Sequence, residues 1–505
     1  MNFANVQTIL KLPRRQTDEQ QIPLLTVLSR LTWLQWSHFI SGFLSWSCDA
    51  MDFYSVSLSL TSLSTKFGKD THEITTAITL SLLLRTIGAI IFGFLSDRFG
   101  RKWPLVSNLL FVTILELGTS FVQTYDQFLA VRALFGIGMG GIWGLASSTA
   151  LENLPVEVRG LASGVLQEGY ALGCILAGVV NLSLVPEKQE QLGVDSWRAL
   201  FWVASGISFF TAVFTMVIPE SRVFVRAKRE TEGIGAMQRT RVFVEETRKM
   251  VQLHWKVFIY AFLLMTGFTF ISHGSQDLYP TFLQQSKGFS VRDASLATII
   301  GFCGAIVGGA FAGWISQYIG RRLTLIFYMI LTGAVIPLWI LPTSFAALSA
   351  GAFMIQFAAQ GSGGVPYQVI VNAPPQIPIQ LSEVSPPAFR ASFSGIAYQL
   401  GSMVSSASAQ IEATGGDNLR VFLSKSDGTF ANVPDYGTVQ GILIGVTAAF
   451  VLIVTLLGPE NHGSHFERYK AAFEEGGGED AVAERESASV DEVDQQYKEK
   501  GLMSS

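Results

Sequence analysis

The decapeptide GFLSDRFGRK, at positions 93–102, ends a long apolar stretch with a short run of charged residues. A similar decapeptide, GWISQYIGRR, occupies positions 313–322. In both copies basic residues directly follow a hydrophobic run, which is typical of a helix that leaves a bilayer on the side where positive charge is retained. Because the copies lie 220 positions apart, they predict a chain built from two similar halves.

The repeat extends beyond these decapeptides. GMGGIW at 138–143 recurs as GSGGVP at 361–366. Further residues recur with identical spacing, so that Glu152, Pro155, Arg159, Ser163 and Gly164 match Glu383, Pro386, Arg390, Ser394 and Gly395. Transporters built from two such halves bind their substrate between the halves, near the bilayer midplane.

The composition predicts a polytopic membrane protein. Of the 505 residues, 49% are hydrophobic and 15% are charged, whereas soluble domains carry about a quarter charged residues. Many apolar runs reach the roughly 20 residues that span a bilayer as a helix, and none alternates as a barrel strand would. We therefore expect an all-α membrane protein with twelve transmembrane helices in two pseudo-symmetric six-helix halves. The predicted spans are 36–62, 75–96, 104–123, 128–150, 160–184, 198–218, 257–283, 293–316, 323–342, 346–372, 390–412 and 438–458.

The distribution of charge sets the expected orientation. Basic residues cluster at 97–102, at 320–322 and within 222–256, which places these segments in the cytosol. The predicted organisation is a cytosolic N-terminal tail (1–35), an N-terminal half (36–219), a cytosolic central loop (220–256), a C-terminal half (257–458) and an acidic, disordered cytosolic tail (459–505). Both termini are then cytosolic, and the loop at 413–437 is outside.

Several classes of function have no support in the sequence. A net charge of −4 argues against nucleic-acid binding. The chain shows no pairing of a nucleophile with a base, no metal-ligand spacing and no phosphate-binding loop, so we expect neither an enzyme nor a cofactor or metal site.

The seventh span carries a stripe of polar side chains. Thr269, Ser272, His273, Gln276 and Asp277 are spaced so that they share one helical face. In lipid such a face turns to the protein interior or to a watery cavity. His273 and Asp277 are in register to interact, and histidine exchanges protons near neutral pH, so the pair is a candidate proton site. The alternative is that these groups only hold helices together, but five polar residues, two of them ionisable, favour a function.

Two other spans also have polar faces. The first presents Ser45, Asp49, Asp52 and Ser59, and the eleventh presents Tyr398, Gln399, Ser402, Ser405 and Ser406. Arg85 lies midway through the second span, where an unpaired cation is costly. Its planar guanidinium suits a carboxylate. Two interpretations stay open: a permanent pair with Asp49 or Asp52, or a site for the carboxylate of an anionic substrate.

The motifs resemble a known superfamily. GFLSDRFGRK resembles the loop 2–3 signature of the major facilitator superfamily, and RALFGIGMGG at 132–141 resembles its helix 4 signature. The resemblance implies a cytosolic gate, for which the candidates are Asp97, Arg101, Glu152 and Arg159. Gln317 replaces the aspartate in the second copy, so we expect the first half to dominate this gate. The alternative is that the arginines only determine topology.

A narrower resemblance lies in the seventh span. SHGSQDLYPT at 272–281 resembles the helix 7 signature of fungal Jen-type lactate and pyruvate permeases, within the sialate–proton symporter family, and 398–412 resembles their helix 11. This resemblance implies that His273 and Asp277 act in proton-coupled monocarboxylate transport. It also implies that Arg85 and Gln399 handle the substrate.

The candidate residues divide into two groups. Substrate contacts are expected from Arg85, Ser272, His273, Gln276, Gln399, Ser402 and Thr269, and proton coupling from His273, Asp277, Asp49 and Asp52. At two of these positions, Thr269 and Ser402, the family commonly has asparagine. Both departures remove an amide from the predicted lumen, where the substrate binds.

The predicted function is import of short-chain monocarboxylates with protons by alternating access. The protein is expected to be a multi-pass protein of the plasma membrane that works as a monomer. An alternative is a dicarboxylate or aromatic-acid proton symporter, because DAMD at 49–52 resembles the helix 1 motif of aromatic-acid symporters. A non-transporting nutrient sensor is a further alternative.

Overall fold

The computed structural model describes residues 28–221, 225, 236–319, 321–363, 390–424 and 430–457. Most of the predicted N-terminal tail, residues 222–224 and 226–235 of the predicted central loop, residues 364–372 of the predicted tenth span and the whole predicted acidic tail lie outside these residues. The helices are α1 (Trp33–Phe67), α2 (Thr71–Phe99), α3 (Lys102–Thr119), α4 (Tyr125–Leu151), α5 (Val156–Leu192), α6 (Arg198–Val217), α7 (Ala236–Gln276), α8 (Val291–Ile319), α9 (Arg321–Ile340), α10 (Phe345–Gly363), α11 (Arg390–Ser405), α12 (Ala407–Asn418) and α13 (Tyr436–Leu457).

The helical membrane fold predicted from composition is confirmed. Within the described residues, eight helices are long and apolar enough to cross a bilayer. Helix α1 is not among them, because it carries many serines together with Asp49 and Asp52, and these polar side chains are buried. Hydropathy therefore underestimates α1, whose polar residues face other helices instead of lipid.

The helix packing repeats between the halves. In the first half the main pairs are α1 with α5, α2 with α4, and α3 with α6. The second half pairs α7 with α11, α8 with α10, and α9 with α13 in the equivalent way. The halves meet where α2 packs on α11 and where α5 packs on α8. This arrangement is the two-half bundle that the sequence repeat predicts.

Glycines on α4 bring that helix close to α2. A methyl group added at Gly140 would lie 1.8 Å from the carbonyl oxygen of Arg85, and one added at Gly136 would lie 2.3 Å from that of Ser81. Only glycine fits such close backbone contacts. The glycines of the 132–141 motif thus fix the position of Arg85 against α4.

Helix α7 differs from the predicted span at both ends. It begins at Ala236, so part of the segment predicted as the central loop is helical. It ends at Gln276, and the chain continues through a single turn at Tyr279–Thr281 and a π-helical segment at Phe282–Ser286. The cause of the break is Pro280, which lacks an N–H group and whose ring collides with the carbonyl of the residue four positions earlier, Gln276.

One end of the bundle carries a short sheet in the segment predicted as an outside loop. Strands β1 (Arg420–Ser424) and β2 (Phe430–Pro434) pair antiparallel. The Ser286 hydroxyl donates to the carbonyl of Pro434 at 2.7 Å, which ties the hairpin to the end of the seventh span. We call this the hairpin end, and the opposite end, which holds Arg101 in the α2–α3 turn, the basic end.

Candidate functional site

Arg85 lies buried at the centre of the first half. Its Nη2 donates to Asp49 Oδ2 at 3.1 Å and lies 3.1 Å from the sulfur of Met139. The guanidinium carbon is 5.3 Å from the ring centre of Phe53. Among the described residues, Arg85 Nε and Asp49 Oδ1 have no hydrogen-bond partner. The ion pair therefore uses one oxygen and leaves donors of the guanidinium available.

Phe53 connects this arginine to the second half. Its ring meets the His273 ring edge-on, with centroids 5.3 Å apart. On the far side, His273 Nδ1 lies 3.1 and 3.3 Å from the two carboxylate oxygens of Asp277. All of these side chains are buried. The Phe53 ring thus contacts both the cation of the first half and the histidine of the His–Asp pair in the second.

Amide side chains surround the rest of the polar stripe on α7. Gln276 Nε2 donates to Gln356 Oε1 at 2.9 Å, and Gln356 in turn donates to the Ser275 hydroxyl at 3.1 Å. Gln360 donates to the Ser272 hydroxyl at 3.1 Å. Gln356 and Gln360 belong to α10 and were missed at the sequence level, although two glutamines four residues apart in an apolar helix are a recognisable signal.

Asp49 and Asp52 share a helix but have different partners. Asp52 Oδ2 accepts from the Ser208 hydroxyl of α6 at 3.2 Å, which directs it away from the second half. Asp49 pairs with Arg85, as described above. We call the buried region around Arg85, Phe53 and His273 the central site. The structure therefore brings Asp49 into the central site and places Asp52 behind it.

A second buried ion pair stabilises the first half. Arg132 Nη1 donates to Glu116 Oε1 at 2.8 Å, and the guanidinium carbon lies 3.8 Å from the ring centre of Phe135. Both members are fully buried. Glu116, a membrane acid without an obvious sequence partner, is thus the counter-charge of an arginine in the 132–141 motif.

The predicted substrate residues of α11 and α7 differ in how their side chains are satisfied. The side-chain amide nitrogen and oxygen of Gln399 are buried and lack a partner among the described residues. The backbone carbonyl of Gln399 accepts from the Thr86 hydroxyl at 3.1 Å. The hydroxyls of Ser402 and Thr269 donate to carbonyls of their own helices, those of Tyr398 and Met265. Gln399 is therefore the better placed of the three to bind a ligand.

Four aromatic side chains lie toward the basic end of the central site. Tyr398 stacks on Trp143 of the other half, with centroids 4.9 Å apart, and meets the edge of Trp46 at 6.2 Å. Tyr170 packs on Trp46 at 5.7 Å. The Trp46 indole nitrogen and the Tyr170 hydroxyl are buried without a partner in the described part of the chain. We call Trp46, Trp143, Tyr170 and Tyr398 the aromatic cluster.

Hydrogen bonds between the halves close the hairpin end. Five side chains make them at 2.9–3.4 Å: Asn181 to Ser295, Thr61 to Gln284, Gln410 to Thr76, Thr79 to the carbonyl of Ser406, and Gln285 to Thr71. The central site is thus enclosed by these bonds on one side and by the aromatic cluster on the other.

At the basic end the structure brings together two of the four predicted gate residues. Arg101 Nε and Nη2 bind Glu152 Oε1 at 3.0 and 2.7 Å. Glu220, after α6, accepts from the backbone N–H groups of Arg101 and Lys102. The side chains of Asp97 and Arg159 lie outside the described part. Glu220 was missed because its partners are backbone groups.

The chain is similar to known membrane transporters. A model of the Major Facilitator Superfamily matches residues 39–409. The carboxylic acid transporter protein homolog of Saccharomyces cerevisiae is 31% identical over 446 residues, covering 86% of this chain and 69% of that protein. The cis,cis-muconate transport protein of Acinetobacter baylyi is 26% identical, covering 75% and 87%.

A solved structure shares the fold. The partially occluded inward open conformation of the xylose transporter XylE from E. coli superposes with a TM-score of 0.62 at 18% identity, covering 86% of this chain and all of that one. The resemblance to carboxylate permeases that was inferred from the seventh span is confirmed by the yeast relative. The protein is a membrane transporter and not an enzyme, and the chain belongs to the Major Facilitator Superfamily.

Proposed function

We propose that this protein imports short-chain monocarboxylates, such as lactate and pyruvate, together with protons. The observation that carries the proposal is the arrangement around Phe53, whose ring centre lies 5.3 Å from the Arg85 guanidinium carbon and 5.3 Å from the centre of the His273 ring. A fixed cation and a titratable pair, contributed by different halves, thus meet at one point of the enclosed site.

Arg85 is the proposed site of the substrate carboxylate. Its Nη2 donates to Asp49, and its Nε has no hydrogen-bond partner among the described residues. A guanidinium has five N–H donors, so a second carboxylate can bind. The unpaired amide of Gln399 is a donor and an acceptor for a hydroxyl or keto group next to that carboxylate.

Charge balance gives a reason for proton coupling. Without substrate, Arg85 is already balanced by Asp49 and Arg132 by Glu116. An added anion in a buried site is costly unless another charge compensates for it. A proton on His273, held by Asp277, supplies that charge. In this proposal substrate and proton enter together because each lowers the cost of burying the other.

The relatives support an organic acid as the substrate class. The names of the yeast and Acinetobacter relatives specify a carboxylic acid and cis,cis-muconate.

The aromatic cluster favours a second candidate, an unsaturated or aromatic acid. Trp143 and Tyr398 stack nearly parallel, with 14° between their planes. Flat conjugated acids stack on such rings, whereas lactate does not. Import of a larger planar acid would require the cluster to separate, and competition between the two types of acid distinguishes the candidates.

The proposed location is the plasma membrane, with the basic end and both termini in the cytosol and the monomer as the functional unit. The charge of the 97–102 and 320–322 segments supports this orientation. Labelling of single cysteines placed in the hairpin and in the central loop tests it.

The deciding experiment is uptake of a panel of labelled acids into cells that lack their own permeases, with and without a protonophore. We expect uptake of short monocarboxylates to fall as external pH rises and accumulation to disappear with the protonophore. Accumulation that is unaffected by the protonophore would refute proton coupling, and saturation by benzoate or muconate alone would favour the second candidate.

A further inference from the structure

Glu168 of α5 occupies the contact between the two halves. Only 8% of the residue is exposed. Its Oε1 fills the space left by Gly309 on α8, because a methyl group added at Gly309 would lie 2.0 Å from that oxygen. The carboxyl group of one half is thus enclosed in a notch formed by the other.

The surroundings of Glu168 supply no counter-charge. Within the described residues the carboxyl group has no ion pair or hydrogen bond, and no charged side chain of α1, α4, α6, α8 or α10 acts on it. Helix α8 presents Gly309, Phe302 and Ala305 to this region, and α10 presents Gln360. The ionisable group nearest in sequence is Tyr170. Glu168 therefore differs from Asp49 and Glu116, the buried acids of the first half that pair with arginines.

A small cavity lies beside Glu168. It is lined by Gln167, Glu168, Tyr170, Phe302, Ala305 and Gln360 among others. Gln360 donates to the hydroxyl of Ser272, which directly precedes His273. The acid is thus separated from the polar stripe of α7 by one cavity and two side chains.

We propose that Glu168 is a second proton-binding site, which takes up a proton when α5 closes on α8 and releases it when the halves separate. An ionised carboxylate without a partner is costly in the closed notch, whereas separation of the helices exposes it to water. On closing, the carboxylate takes a proton from a hydronium ion, which forms one O–H bond and leaves a water molecule. On opening, that O–H bond breaks and the proton passes to water, which becomes hydronium. Proton binding by Glu168 does not depend on the function proposed above. Only the use of this proton in transport rests on that proposed function.

The test compares Glu168→Gln, which imitates the protonated acid, with wild type. Proton uptake on addition of lactate is measured with a pH indicator on purified full-length protein in weak buffer. We expect each Glu168→Gln molecule to take up one proton fewer than a wild-type molecule when lactate is added. The uptake rate should also depend less steeply on pH, by up to about tenfold per pH unit, which is the contribution of one proton.

Two further variants make the result decisive. Gln167→Met changes the same helix and the same cavity without removing an acid, and it should behave as wild type. Glu168→Met is a second neutral variant in case the glutamine protein does not reach the membrane. Proton uptake and pH dependence equal to wild type in the neutral variants would overturn the proposal. Failure of the proposed function gives a different result, namely wild-type uptake that ignores the protonophore.

Discussion

The two halves share a helix arrangement but differ in their buried chemistry. Among the described residues, the buried arginines all belong to the first half, namely Arg85, Arg132 and Arg198. The second half instead buries His273 with Asp277, and Glu412, which accepts from Gln440 at 2.9 Å. The internal repeat thus preserves the packing of the helices, while the charged groups diverged. Within the described residues, the first half thus contributes the buried guanidinium groups, and the second contributes a buried imidazole next to a carboxylate.

Under the proposed function, the first half binds the anion and the second half binds most of the protons. Glu168 is the exception to this division, because it is a proposed proton site that belongs to the first half and is buried against the second. Substitutions that exchange or remove one kind of chemistry at a time therefore test whether the division is real.

The largest effect is expected at Arg85. Arg85→Lys keeps a positive charge beside Asp49 but loses the planar fork, so uptake should fall by about a hundredfold while the protein still reaches the membrane. Arg85→Ala should also reduce expression, because a buried pair that loses one partner costs about 3–5 kcal/mol. Uptake and surface level are measured together.

The double variant Arg85→Ala/Asp49→Asn separates the structural role of Arg85 from substrate binding. Removing the stranded acid should restore expression and leave uptake lost. If the double variant transports as well as wild type, Arg85 serves only to neutralise Asp49 and the first half does not bind the anion.

Asp277→Asn should abolish accumulation and spare exchange. The amide has nearly the same shape and can still bond His273, but it cannot hold a protonated imidazole by charge. Since one pH unit is worth 1.36 kcal/mol, the loss is about tenfold in accumulation per pH unit of gradient. Labelled substrate is followed in net uptake and in exchange.

Ser275→Ala on the same helix is the matched control and should keep the pH response. Unchanged accumulation by Asp277→Asn at a normal surface level would return the His–Asp pair to a role in helix packing.

The sequence predicted the contacts within one helix better than those between helices. His273 and Asp277 meet because their spacing of four residues brings them together in any α-helix. Asp49 and Asp52 also share a face, yet only the packing of α2 and α6 selects Asp49 as the partner of Arg85. The position of Phe53 depends on both halves, so no local pattern could have predicted it.

The sequence also did not reveal that the apolar side of the seventh span is buried inside the protein. The face opposite the polar stripe contains Phe268, Ile271, Leu278 and Phe282, all of them buried. Helix α7 packs on α11 and α13, so both of its faces lie inside the protein. Hydropathy does not distinguish a lipid-facing side chain from one that faces another helix, because both surroundings are apolar.

A moderate effect is expected at the basic end. Arg101 and Glu152 are partly exposed and bind through two nitrogens. Glu152→Gln should lower uptake about threefold to fivefold, equivalent to roughly 1 kcal/mol. It should change the maximal rate more than the apparent affinity, because it alters a conformational step and not the site.

The ion pair of Lys66 with Asp195 provides the matched control, because it is also partly exposed but lies toward the hairpin end. Asp195→Asn should leave the maximal rate near that of wild type. Equal effects of the two substitutions would mean that neither end has a special role in gating.

The smallest effect, and the finest test of the comparison, is expected at Thr269. Its hydroxyl donates to the carbonyls of Met265 and Thr266 in its own helix, so replacing it leaves no partner on another helix unsatisfied. Thr269→Asn introduces the amide that the resembling permeases commonly have, on the proton-binding half. A new hydrogen bond to one acid and not another changes their relative affinity by about tenfold, or roughly 1.4 kcal/mol, without a change in turnover.

Thr269→Val, which removes the hydroxyl without adding an amide, should keep the competition profile of wild type. If Thr269→Asn and Thr269→Val give the same profile, position 269 does not contact the substrate, and the second half contributes a proton but no selectivity there.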